Sequence, residues 1–185
     1  MNQTRVDYRQ LIHCVRDFPK VGVVYFDFTA ILADPFAFRQ AVGDLIVHFR
    51  EKEITKIAAI EAKGFTLGSA LAYEWGKPLI LIRKPELTPG EVDSEKFEKE
   101  YGFGEYQLKA GQLGSDDSVL IVYDIMAGPG ATRGAINLVT RTGARVVGCA
   151  YVIELEFLGG REKLPIHDLF SLVKIHSQHE LLDEI

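Results

Sequence analysis

The segment Val119-Leu-Ile-Val-Tyr-Asp-Ile-Met-Ala-Gly-Pro-Gly-Ala-Thr132 brings together the residue types of an anion site. A run of apolar, mostly β-branched residues reads as a buried parallel strand. A carboxylate, Asp124, follows at its carboxyl end, then a Gly-rich turn, then Ala135, Ile136, Leu138 and Val139 at helical spacing. Strand, small-residue turn and helix N-terminus aim backbone N–H groups and the positive end of a helix dipole at one point, which is chemistry for a phosphate. Asp124 stands where it can hold sugar hydroxyls or a metal, and read alone it serves equally as a helix N-cap. Pro129 has no N–H to offer that ligand.

Cations are available nearby in the predicted order of elements. Lys63 lies in Ile60-Glu-Ala-Lys-Gly-Phe65, a strand end, small turn and helix start, and Arg83-Lys84 close another strand. Strand ends are where α/β sheets bind ligands, although Arg83 and Lys84 are also compatible with plain surface charge. Glu100 sits among Glu95, Glu98 and Lys99, so a solvated charged face and a catalytic carboxylate stay open together. His176 and His179 have no acidic or cysteine partner pattern and read as a solvated helix face rather than a metal site. Tyr73 and Trp75 close a helix and read as packing residues.

The elements that must position these groups alternate helix and strand, which predicts an α/β fold with a mostly parallel sheet. A first helix is expected over about 7–15 and a short apolar stretch over 22–28. Asp34-Pro35 opens a helix to about Lys52, with Phe36, Phe38, Val42, Leu45, Ile46 and Phe49 as its apolar stripe. Strands are expected over 57–60, 78–83, 105–109, 119–122 and 145–153, with helices over 65–75 and from the Gly-rich turn to about Arg141. Residues 84–104 carry charge, Pro and Gly without periodicity and are expected to form a mobile loop.

Composition narrows the classes. A chain of 185 residues with 47% hydrophobic and 25% charged content suits one domain, here taken as 1–185, with a single core. The formal net charge of −5, with no basic tail, argues against nucleic acid as a partner. Cys14 and Cys149 form neither a disulfide framework nor a zinc pattern. There is no signal-peptide core and no run approaching ~20 apolar residues, so no membrane span is expected and a cytoplasmic address is the default.

Five blocks together resemble the adenine phosphoribosyltransferases, which are type I phosphoribosyltransferases. They are Asp17-Phe-Pro-Lys-x-Gly22, Asp27-Phe-Thr-x-Ile-Leu-x-Asp-Pro35, the Lys63 turn, Leu81-Ile-Arg-Lys-Pro85 with a later Glu-Lys-Glu-Tyr-Gly102, and Ile153-Glu-Leu-Glu-Phe-Leu-Gly-Gly-Arg-Glu-Lys-Leu164. Order and spacing match from about residue 15 to 172. The Gly-rich segment is similar to the family's phosphoribosyl pyrophosphate (PRPP) signature. An unbroken count onward to Glu154-Leu155 sets Asp124 at the second acidic position and Tyr123 at the first.

The resemblance implies a central, mostly parallel sheet flanked by helices, with a flexible loop and a small base-binding hood. It implies purine salvage by a glycosyltransferase: a 5-phosphoribosyl group passes from PRPP to N9 of adenine, giving AMP and pyrophosphate, with Mg²⁺ required and a homodimer as the working unit. Carried over position by position, Asp124 would hold a ribose hydroxyl and stabilise an oxocarbenium-like transition state. Ala127, Gly128, Gly130, Ala131 and Thr132 would form the 5-phosphate turn, and Lys63, Arg83 and Lys84 would meet pyrophosphate. Glu100 would be the general acid/base near N7. Val24, Phe26 and Leu155 would sandwich the purine.

The departures from that pattern cluster at the site. Lys63 stands where the family has arginine, which keeps charge but loses a bidentate fork. The family's Phe-Arg-Asp is Tyr25-Phe26-Asp27, a loop lysine is Leu87, Tyr123 replaces a carboxylate, Pro129 an N–H donor, and Gly128 and Ala131 two threonine hydroxyls. A catalytically impaired paralogue, binding nucleotide or serving as a regulatory scaffold, is therefore the alternative reading.

Overall fold

The computed structural model describes residues 5–98, 102–166, 168–178 and 180. Its centre is a parallel sheet in the order β10-β9-β7-β3-β4, where β3 is Lys56–Ile60, β4 Leu79–Ile82, β7 Ser118–Val122, β9 Arg145–Leu155 and β10 Leu169–Ile175. A two-residue strand, β8 (Ile125–Met126), continues beside β9 just past Asp124. The register pairs Ile121 with Cys149 and Ala58 with Ile121, so the Asp124 strand lies mid-sheet, buried on both faces. This is why Val119–Val122 carries no polar alternation.

Two apolar clusters sandwich the sheet. One lies under α2 (Pro35–Phe49) and α3 (Gly64–Trp75), with Leu45, Phe49, Leu67 and Leu71 fully buried. The other lies under α4 (Pro129–Arg141), through Ala135, Leu138 and Val139. Asp34 caps α2 as its sequence implies, its carboxylate accepting from the N–H groups of Phe36 and Ala37 at 2.8 and 3.1 Å. Gly68 lets α3 lie directly on β3, since a Cβ there would stand 2.5 Å from that of Ala59.

Four expectations are corrected. The segment predicted as a helix over 7–15 is a short 3₁₀ turn, Tyr8–Leu11, followed by strand β1, His13–Arg16. It pairs antiparallel with β2, Val24–Asp27, matching Cys14 to Phe26, so strand pairing overrides an apolar spacing that also fits a helix. Between β2 and α2 a further short helix, α1 (Thr29–Ala33), intervenes.

The predicted loop 84–104 is half strand: β5 (Val92–Glu98) pairs antiparallel with β6 (Phe103–Lys109) over seven residues each. Lys96 and Glu98 face outward, Glu95 turns to α4 and pairs with Arg141 at 2.8 Å, and Phe97, Tyr106 and Leu108 are buried. This is a half-solvated ribbon whose polar face masks its period. Tyr73 is 88% exposed and packs on nothing, unlike Trp75, which adjoins the α2–α3 cluster. His176 follows β10 rather than lying on a helix and bonds Glu156 at 2.5 Å, while His179 lies outside the described residues.

Candidate active site

Asp124, at the end of β7, sits between two cavities at the carboxyl edge of the sheet. The larger, about 580 Å³, is walled by Val24 and Phe26 of β2, Leu155 at the end of β9, and the turn Ala127-Gly128 with Ala131 and Thr132. The other, about 500 Å³, is lined by Glu61, Lys63, Lys84, Tyr106, Tyr123 and Asp124. Lys63, Tyr123, Asp124 and Ala131 belong to both, so the cavities meet over the strand end. One compartment is chiefly apolar and backed by a two-stranded flap. The other carries two lysines.

The turn is built as a helix start. Gly128 is the N-cap of α4 and Pro129 the first helical residue, the position where proline's fixed φ is favoured and its missing N–H breaks no ladder bond. By helix geometry the N–H groups of Gly128, Gly130 and Ala131 have no partner within α4, whereas that of Thr132 begins the ladder. The Thr132 hydroxyl faces inward, 1% exposed, and takes a 2.9 Å hydrogen bond from the phenol of Tyr151 on β9. Thr132 thus ties the helix start to the sheet, and the donors left without a helical partner are backbone groups.

Asp124 is 7% exposed. Burial pushes its carboxyl above the usual range, and the Lys63 ammonium, 3.5 Å away, pulls the other way. Lys63 also bonds the Tyr25 phenol and lies over that ring, 4.5 Å from its centroid. Burial works against its charge, but Tyr25 and Asp124 outweigh it and the ammonium's pKa is raised. Tyr123 is pushed up by burial and then by Asp124. The Tyr106 phenol rises further, from burial and from the neighbouring Tyr123 phenol.

The remaining predicted residues are placed unevenly. Lys84 is exposed and lines the smaller cavity, and its N–H donates to Glu61 Oε2 at 3.1 Å. Arg83 turns aside: it pairs with Glu61 at 3.4 Å and donates to the carbonyl of Leu87 at 2.6 Å. The peptide Glu61–Ala62 that leads into the Lys63 turn is cis. Glu100 lies outside the described residues.

Among the described residues, no group of three or more His, Cys, Asp or Glu is placed to hold a metal ion. Glu61 is engaged by Arg83, and Glu105 accepts from Gln107. Asp124 is the carboxylate that lines both cavities and could share a divalent ion with oxygens of a ligand.

The adenine phosphoribosyltransferase of Solidesulfovibrio magneticus is 41% identical over 170 residues, which is 92% of this chain and 99% of that one. The chain belongs to the adenine phosphoribosyltransferase family. Adenine phosphoribosyltransferase 1 of Triticum aestivum is also 41% identical, over 88% of this chain and 90% of its own. The crystal structure of the Thermoanaerobacter pseudethanolicus family member superposes with a TM-score of 0.87 at 34% identity, covering 91% of this chain and 98% of that one. The Giardia lamblia enzyme, crystallised with 9-deazaadenine, gives 0.88 at 32% identity over 92% and 97%. No protein-family model matches the chain.

Within an adenine phosphoribosyltransferase frame, the most family-specific block has a structural role that its sequence did not disclose. Glu154, at the end of β9, is 1% exposed. Arg161 reaches back to it with a fork of 2.8 and 2.6 Å and also donates to the carbonyl of Leu169, while Ser171 adds a 2.9 Å bond. Burial alone would raise the Glu154 carboxyl, but Arg161 and Ser171 hold it below its ordinary value. The Gly-Arg-Glu-Lys segment therefore clips the cavity's back wall to β9 and β10. Tyr25, Phe97 and Tyr106 were also missed as neighbours of the site. The alternation Phe97, Tyr106, Leu108 on a charged ribbon was the available signal.

Proposed function

We propose that this chain is an adenine phosphoribosyltransferase that joins adenine N9 to the 5-phosphoribosyl group of PRPP, giving AMP and pyrophosphate. The observation that carries the reading is the junction at Asp124, where an apolar cavity, a helix N-terminus and a lysine-bearing cavity converge. A planar base, a 5-phosphate and a pyrophosphate need those three surroundings around one sugar.

In this reading the purine lies between Phe26 and Val24 on one side and Leu155 on the other. The 5-phosphate meets the N–H groups of Gly128, Gly130 and Ala131 at the positive end of α4. Lys63 and Lys84 face the pyrophosphate, with Arg83 holding Glu61 and the Leu87 turn behind them. As the glycosidic carbon gains positive charge, Asp124 supplies a fixed, nearly dry negative charge and holds a ribose hydroxyl. Tyr123 offers a phenol where its relatives' pattern has a carboxylate. Mg²⁺ would enter on the pyrophosphate, neutralising leaving-group charge with Asp124 beside it. Glu100 is proposed as the general acid/base toward N7.

We take residues 1–185 as one phosphoribosyltransferase domain acting as a homodimer in the cytoplasm. No helix among the described residues is long and apolar enough to cross a membrane. Adenine-to-AMP turnover with PRPP and Mg²⁺, together with calorimetric titration of PRPP and AMP, tests the reading. Turnover is the expected outcome. AMP binding without turnover would replace it with a nucleotide-binding paralogue.

A further inference from the structure

Lys63 stands at the junction of the two cavities, and its hold on that position comes from outside its own turn. An ammonium on a four-carbon stem is a mobile point charge, and fixing it costs side-chain entropy that a guanidinium fork recovers through paired bonds. Here the stem is steadied by β2. The Tyr25 phenol meets Nζ, the Tyr25 ring lies under the charge at 4.5 Å, and Phe28 stands behind at 5.9 Å. Asp124 completes the set from the end of β7 at 3.5 Å.

We propose that Tyr25 is a positioning residue that holds the Lys63 ammonium beside Asp124, so that it sets affinity for the pyrophosphate-bearing substrate and not for the base. Two features separate this from a simple wall of the apolar cavity. Tyr25 borders that cavity, but its hydroxyl oxygen accepts from the Lys63 ammonium. Its ring is braced from behind by Phe18, edge to face at 5.3 Å, which fixes the phenol's direction. Tyr25 and Asp124 occupy two of the three ammonium donors, so a phosphate oxygen can take the third without displacing either. Tyr25 thereby works for a lysine as the second arm of the fork works for an arginine.

The proposal rests on the phosphoribosyltransferase reading, and its test separates the two. Tyr25→Phe keeps the ring and removes only the hydroxyl. KM for PRPP is expected to rise roughly tenfold, as for loss of one hydrogen bond to a charged group, with KM for adenine unchanged. Lys63→Arg placed on Tyr25→Phe should recover most of that loss, because the fork no longer needs the phenol. Thermal unfolding of Tyr25→Phe should match wild type, which keeps a folding defect out of the comparison. A rise in adenine KM with PRPP unchanged, or equal loss in the single and double variants, would overturn the positioning role. If the wild type shows no turnover, the functional reading fails by itself, and calorimetric titration with pyrophosphate and Mg²⁺ still decides. Weaker binding by Tyr25→Phe supports the proposal. Equal binding, or no binding by either protein, ends it.

Discussion

The turn into α4 presents backbone donors, whereas the cavity lined by Lys63, Lys84 and Glu61 presents side chains. The first is set by chain direction: a strand end, an N-cap glycine and a helix whose first N–H groups point outward. Of the departures at Tyr123, Gly128, Pro129 and Ala131, only Pro129 removes a backbone donor. The second depends on the identity of each group, and there Lys63 takes Tyr25 as a partner. Departures from a family pattern therefore weigh differently according to what does the binding.

Asp124 is the point where both halves meet, so its replacement should have the largest effect. Asp124→Asn keeps shape and removes the charge aimed at the developing cation, and kcat should fall roughly 10²–10³-fold. Stability should move the other way. The folded pKa of Asp124 is raised, so its contribution is complete below the unfolded pKa and is lost as pH rises through the folded one. Above the folded pKa the wild type carries a buried charge that the asparagine lacks, and there the variant's Tm should equal or exceed the wild-type value. A fall in Tm together with activity would mean that the Asp124 carboxylate holds the strand end in the fold and that the two halves are not joined through its charge.

Arg161→Ala is the matching test on the scaffold. It leaves Glu154, whose side chain is 2% exposed, with the Ser171 hydroxyl and the charge of Lys174, and should cost about 3 kcal/mol. The Glu154 pKa is lowered, so its stabilisation is present above the unfolded pKa and is lost as pH falls through the folded one. The Tm gap between wild type and variant should therefore narrow on acidification below about pH 4. A gap that stays constant across that range would remove the ion pair from the account. The affinity for pyrophosphate, made on the opposite side of Asp124, should change little.

Gly134→Ala probes how the β5–β6 ribbon sits on α4. A Cβ there would lie 2.4 Å from Phe97 Cδ1 and 2.6 Å from Cγ, and Phe97 stacks on Tyr106 at 4.5 Å. The ribbon must shift, costing about 2 kcal/mol, or roughly 4–8 °C in Tm. Because Phe97 and Tyr106 line the side-chain-built cavity, pyrophosphate should bind less tightly while AMP changes less. Equal losses for both ligands would show that the ribbon serves the whole site.

What could be read from the sequence follows the same division. Buried parallel strands are continuous apolar runs, so β3, β7 and β9 and the helices between them were legible, as was the turn at Gly128. The two ribbons were not. β1 was masked because Tyr8, Leu11, Ile12 and Val15 also fit a helical period, and β5 because its outward face is charged. Their strand character is decided by partners far along the chain, Cys14 against Phe26 and Glu95 against Tyr106. At the site, Asp124 stood out as a strand-end carboxylate, while Lys63 and Leu155 were named through the family resemblance, and all three line the two cavities. The contacts of Tyr25 with Lys63 and of Arg161 with Glu154 could not be inferred, because side-chain direction across elements leaves no periodic trace.

Pro129→Ala is the mildest change and the one that speaks most directly to the backbone-built half. It returns an N–H at the first position of α4, where no ladder bond is at stake and where the dipole favours an anion. If the turn keeps its course, that donor joins those of Gly128, Gly130 and Ala131, and AMP should bind a few-fold tighter, by about 1 kcal/mol at most. Stability should fall only slightly, through the greater freedom of the unfolded chain, by roughly 0.4–1 kcal/mol. Calorimetric titration of AMP into both proteins reads the difference. Tighter binding with pyrophosphate affinity unchanged would show that the turn's donors act additively and apart from Lys63. Weaker AMP binding would mean that proline's fixed φ, and not the number of donors, aims this helix at the phosphate.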